Sequence, residues 1–221
     1  MRTILMLFSA LTTVAIPALA AAEQQSDTAG STSESPTKSA HRSGVLLGAK
    51  VGGVVPFGGL SPNARVGVDL GYVFPWANGS FGAWLDVDFA APKSSGTKTG
   101  DPRVPSGGYD WHLTEQELAI MPVFVYRLTS LGSIVPYAGI GPRIYMLRST
   151  VRGNAGGSAI AETTEQSTKL GVGVPIGAEL RLGPGAALAE LLLEYGSLDH
   201  TATGTTNSGG INLLLGYRFL L

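Results

Sequence analysis

The stretch Ser208-Gly209-Gly210-Ile211-Asn212-Leu213-Leu214-Leu215-Gly216-Tyr217-Arg218-Phe219 decides the fold. Ile211, Leu213, Leu215, Tyr217 and Phe219 fall on one side of an extended chain, and Gly210, Asn212, Gly216 and Arg218 on the other. Successive side chains of a strand point to opposite faces, so this period of two marks a strand between two different environments. Residues 64–74 repeat it, with Ala64, Val66, Val68, Leu70, Tyr72 and Phe74 set against Arg65, Gly67, Asp69, Gly71 and Val73. Residues 81–89 set Phe81, Ala83, Leu85, Val87 and Phe89 against Gly82, Trp84, Asp86 and Asp88, and residues 170–182 alternate against Lys169, Gly171, Gly173, Gly177, Glu179 and Arg181.

Less regular stretches at 44–55, 111–127, 134–147 and 187–195 bring the total to about eight strands, each near or above the length a tilted membrane strand needs. The connections 75–79, 128–132 and 183–186 are short, whereas 91–110 and 151–163 are long and polar. Short and long links alternate, as they do between the periplasmic and outer rims of outer-membrane barrels. The expected fold is all-β: a closed antiparallel up-and-down transmembrane β-barrel. A water-soluble barrel of lipocalin type has the same alternation. The glycines on the polar face favour the membrane, because glycine weakens a water-facing strand yet leaves room for long side chains inside a narrow cylinder.

The expected inward set is therefore Lys50, Arg65, Asp69, Asp86, Asp88, Glu117, Arg143, Lys169, Glu179, Arg181, Glu190, Glu194 and Arg218. Eight strands enclose an interior just wide enough to be filled by side chains, and these two signs of charge are expected to pair as a plug. Aromatic residues are expected in two interfacial girdles. Tyr72, Phe74, Trp76, Phe81, Phe124, Tyr126, Tyr217 and Phe219 make the periplasmic one; Phe89, Tyr109, Trp111, Tyr145 and Tyr195 make the outer one. Leu213→Arg is expected to impair insertion and Asn212→Ser to be nearly silent.

The 221 residues hold no cysteine, which removes disulfides, thiolate catalysis and a cysteine-linked lipid anchor. Charged residues are only 14%, and 15 Lys+Arg stand against 16 Asp+Glu, so no electrostatic footprint for nucleic acid exists. Arg2, the apolar residues 4–16 and Pro17-Ala18-Leu19-Ala20 read as a cleavable export signal within residues 1–22. Residues 23–43 are Ser/Thr-rich with little to bury and read as a disordered linker, leaving residues 44–221 for the barrel. His41, His112 and His200 are too scattered for a metal site; no metal or cofactor is expected.

The segment Val135-Pro136-Tyr137-Ala138-Gly139-Ile140-Gly141 and the terminal Gly216-Tyr217-Arg218-Phe219 resemble small outer-membrane barrels of the OmpA/OmpX type. The resemblance implies a monomer in the Gram-negative outer membrane, with membrane lipid and lipopolysaccharide around it. It also implies insertion by the barrel-assembly machinery, with Tyr217 and Phe219 serving the terminal aromatic signal, although this chain ends in Leu220-Leu221. The implied function is envelope integrity or surface contact through the outer loops, where Lys93, Lys98 and Arg103 are candidates to meet lipopolysaccharide. One alternative is a soluble secreted or periplasmic lipid-binding barrel. A second is a lipid A-modifying enzyme using His112, Thr114 and Glu115, with Thr in place of the expected serine and Glu115 on the opposite face.

Overall fold

The computed structural model describes residues 43–102, 104–197 and 207–221. The expected export signal, residues 23–42 of the linker, His41, Arg103 and His200 lie outside the described residues. Nine strands follow in order: β1 Gly44–Pro56, β2 Asn63–Val73, β3 Phe81–Ala90, β4 Lys93–Thr99, β5 Gly108–Arg127, β6 Ile134–Ala155, β7 Ser158–Leu182, β8 Gly185–Gly196 and β9 Gly210–Leu220. Every pairing is antiparallel. β1 pairs with both β2 and β9, and β3 with both β2 and β5, so eight strands close on themselves and β4 is added outside the ring. Closure leaves no free edge along the ring, which is the condition for a sheet to cross a bilayer.

The alternation of β9 is physical. Leu213 and Leu215 are 65% and 60% exposed, whereas Asn212 and Leu214 are fully buried and Arg218 is 2% exposed. Apolar side chains point outward on every strand of the ring, among them Val51, Val68, Leu85, Phe124, Ile140, Leu170 and Leu191. The core is thus the inside of the cylinder. It holds charges together with an apolar cluster of Leu46, Val73, Trp84, Met121, Val123, Val125, Tyr137, Leu192 and Leu214. β5 reads irregularly in the sequence for this reason: Met121, Val123 and Val125 line the interior while Phe124 and Leu118 face out, so both faces are apolar there.

The tight links at 75–79, 128–132 and 183–184 share one end of the barrel. The expectation of long loops at the other end needs correction. Residues 151–163 are not a loop: β6 and β7 run on for 22 and 25 residues and meet across the two-residue turn Gly156-Gly157. Both turn glycines have positive φ, 58° and 86°, as a tight hairpin between right-twisted strands demands. Residues 91–110 likewise contain β4, which pairs with the outer part of β5. Threonine favours a pleated backbone, but both faces meet water here, so the apolar/polar period that betrays a membrane strand is absent.

Candidate functional site

The interior ionic network is the densest chemistry in the barrel. Lys50 on β1 donates to Asp86 at 2.5 Å and Glu190 at 2.7 Å, and lies 3.4 Å from Asp69. Arg218 on β9 reaches Asp69 at 2.7 Å, Glu179 at 3.0 Å and Glu190 at 3.4 Å, and its guanidinium lies over the rings of Trp84 and Tyr137 at 4.6 and 5.0 Å. Tyr137 donates its hydroxyl to Glu190 at 2.7 Å. Arg127 closes this cluster at the tight-turn end with a 2.5 Å bond to Glu179.

A second cluster lies toward the opposite end. Arg65 on β2 donates to Asp88 at 2.6 Å, Glu194 at 2.8 Å and Glu117 at 2.9 Å, and Arg143 on β6 donates to Asp88 at 2.7 Å. Asn212 donates to Glu194 at 2.7 Å and to the Leu192 carbonyl at 3.0 Å. Beyond it Ser149 donates to Glu115 at 2.9 Å. Most of these cations are shared by carboxylates from several strands, so the network ties the wall across the cylinder as well as along neighbouring strands. Glycine makes the room: a Cβ on Gly177 would lie 2.7 Å from the Tyr137 ring.

Of the thirteen residues expected inside, the structure buries Lys50, Arg65, Asp69, Asp86, Asp88, Glu117, Arg143, Glu179, Glu190, Glu194 and Arg218. Lys169 and Arg181 share the inward register, but no ion pair reaches either among the described residues. Lys169 is half-buried because β8 begins to pair with β7 only at Gly171, so the closed wall ends below it. Arg181 is exposed beside the 183–184 turn, where it borders a cavity of about 360 Å³ with Arg127, Glu179 and Arg218. The expected inward set lacks Arg127, Glu115, Tyr137 and Tyr145, all of which the structure places in it. Glu115 and Arg127 have the same parity as Glu117, and extending that inward register along β5 would have found both.

The aromatic expectation divides. Tyr72, Phe74, Trp76, Phe81, Phe124 and Tyr126 form a continuous chain of ring contacts at the tight-turn end, and Tyr217 stacks edge-on with Phe219. Phe89 and Tyr195 face outward at the other end. Tyr145 does not: it is fully buried in the interior beneath Arg143. Tyr109 and Trp111 are no interfacial belt either. Both lie on the inward-register side of the extended sheet, with Trp111 covering Gly96 of β4. Trp111 is seven residues beyond Leu118, or about 24 Å along the strand.

The remaining alternatives can be placed. A soluble lipid-binding barrel needs an apolar interior around its ligand, whereas here the interior carries the charges and the outside the exposed Val, Leu, Ile and Phe. His112 is exposed on the outward face and Glu115 points inward to Ser149, so His112, Thr114 and Glu115 do not converge. Among the described residues, no group of three His, Cys, Asp or Glu is arranged to hold a metal ion.

No curated protein sequence matches this chain. Among solved structures, a major outer membrane protein from Thermus thermophilus shares the fold with a TM-score of 0.52 and 12% identity, over 80% of this chain and 99% of that one. Neisserial surface protein A matches with a TM-score of 0.43 and 19% identity, over 80% and 96% of the two chains. The outer membrane enzyme PagL matches with a TM-score of 0.41 and 17% identity, over 80% and 99%. The model of the outer membrane protein beta-barrel domain matches residues 6–219, nearly the whole sequence. The barrel described above, with its aliphatic side chains outward, fits that description; the chain belongs to the outer membrane protein β-barrel domain family, and the outer membrane is where it resides.

Proposed function

We propose that this protein is a non-enzymatic surface barrel, exported by a cleaved signal and seated as a monomer, whose ion-paired interior closes it to bulk solute and whose raised β-sheet meets the cell's surroundings. The observation that carries the reading is the length of β5, β6 and β7. They are 20, 22 and 25 residues long, where about 9 to 11 cross a bilayer. Together with β4, their outer parts build an ordered polar platform standing on the barrel, a shape suited to contact and of no use to conduction. The interior supports the other half of the reading, since Lys50, Arg65, Arg143 and Arg218 bridge carboxylates from different strands where a pore would need open water.

Two measurements test it. An epitope inserted between Gly156 and Gly157 should be accessible to antibody on intact cells; accessibility only after the envelope is broken would overturn the orientation. Planar-bilayer recordings of the purified protein should show no stable nanosiemens conductance, and a reproducible large pore would overturn the closed interior. Assembly by the barrel-assembly machinery, with Tyr217 and Phe219 as the terminal aromatic signal, is part of the proposal. Phe219→Ala should then lower the assembled yield in cells while leaving detergent refolding intact.

A further inference from the structure

The cavity of about 360 Å³ at the tight-turn end breaks the rule that governs the rest of the interior. Elsewhere inside, Lys50, Arg65 and Arg143 are each shared by several carboxylates. Three guanidiniums, of Arg127, Arg181 and Arg218, line this cavity, and Glu179 is the only carboxylate lining it among the described residues. Both oxygens of Glu179 are engaged, Oε1 by Arg218 at 3.0 Å and Oε2 by Arg127 at 2.5 Å. Arg181 is left exposed with no ion pair among the described residues, and the buried Nε of Arg127 has no hydrogen-bond partner. Apolar side chains share the lining: Leu46 and Leu220, paired across β1 and β9, and Ala186 on β8.

We propose that this cavity binds the C-terminal carboxylate of a periplasmic peptide that ends in an apolar residue. A carboxylate presents two oxygens that match a guanidinium fork, and it supplies the acceptor that Arg181 and the Nε of Arg127 lack. The charges deeper in the barrel already have their partners, so an anion gains most at this mouth. The terminal side chain packs on Leu46, Leu220 and Ala186, a gain that an inorganic anion forgoes. The space is at the lower end of the range for small-molecule sites, enough for the end of a chain and too little for a folded partner. The cavity lies at the end opposite the raised sheet, so the inference adds a second site to the surface-contact reading. It takes from that reading only the orientation, which makes the periplasm the source of the ligand.

The test is isothermal titration calorimetry on the full folded protein in detergent micelles, with N-acetyl-Ala-Ala-Leu as the probe. Its C-terminal amide, which removes the charge and keeps the side chains, and inorganic phosphate serve as comparisons. The acid should bind, the amide should bind about tenfold more weakly, and millimolar phosphate should not displace the acid. Arg181→Gln should lose a similar factor. Arg181 is exposed and carries no ion pair, so this variant should keep the heat-dependent shift in gel mobility of a folded barrel. Lys98→Gln, at the far end of the molecule, should bind as the wild type does. No binding of the acid, equal binding of acid and amide, or unchanged binding by Arg181→Gln would overturn the proposal. Displacement by phosphate would show a site for any small anion and overturn the peptide assignment. The comparison of acid and amide on the wild type needs no variant to fold. Micelles leave both ends of the barrel open to the probe, so these results do not depend on orientation. An epitope at Gly156-Gly157 hidden on intact cells would instead strike the surface reading and leave the carboxylate site standing.

Discussion

The interior of the barrel and the sheet raised above it are built from the same strands, β5, β6 and β7, yet they handle charge in opposite ways. Inside, Arg143 is fully buried and shares Asp88 with Arg65 at 2.7 and 2.6 Å. On the raised part of the same β6, Arg152 makes one pair with Glu162 and remains 71% exposed. The difference is the medium on each side of the wall. With lipid outside, every charge must go in and every one must find partners, because an unpaired buried ion costs several kcal/mol. With water on both sides, charges may stand alone and pairing contributes little. The contrast orders the effects of substitution along a single strand.

The largest effect is expected at Arg218. Arg218→Ala strips one cation from Asp69, Glu179 and Glu190 at once and should destabilise the folded barrel by about 3 to 5 kcal/mol, or prevent folding; urea titration followed by the heat-dependent gel shift measures it. Leu213→Arg puts a charge among acyl tails and should cost about 2 to 4 kcal/mol in the same assay if it sits near the bilayer midplane. Asn212→Ser is a sharper test. Strand alternation alone ranks it as silent, but Asn212 is fully buried and donates to Glu194, so a loss of about 1 to 3 kcal/mol is expected. Arg152→Ala, on the raised sheet, should change stability by less than about 1 kcal/mol. A cost at Arg152 as large as that at Arg218 would erase the distinction between the two regions.

The sequence is legible wherever two media meet across a strand. β2, β3 and β9 separate lipid from ion pairs, so apolar and polar residues alternate and their inward charges can be named in advance. Legibility fails for three reasons. On β5 the interior is itself apolar, so Met121, Val123 and Val125 blur the alternation, and Arg127 and Glu115 at its ends are left out of the expected inward set. On the outer parts of β5, β6 and β7 both faces are wet, so β4 and the hairpin around Gly156-Gly157 look like loop. Tyr137 and Tyr145 escape for a third reason: a tyrosine fits an interfacial belt and a buried bond to a carboxylate equally well, and only the register shows their hydroxyls reaching Glu190 and Glu194.

The absence of native cysteine makes the central claim open to direct measurement. Single variants along β9, from Gly210→Cys to Phe219→Cys, can each be labelled before folding with an environment-sensitive fluorophore and reconstituted into bilayers containing brominated acyl chains. Labels at 211, 213 and 215 should be quenched by the bromines and shielded from a water-soluble quencher, while labels at 210 and 216 should escape the bromines. Quenching by bromine at the even positions, or free access of the aqueous quencher to 213, would contradict an outward apolar face and an ion-paired interior.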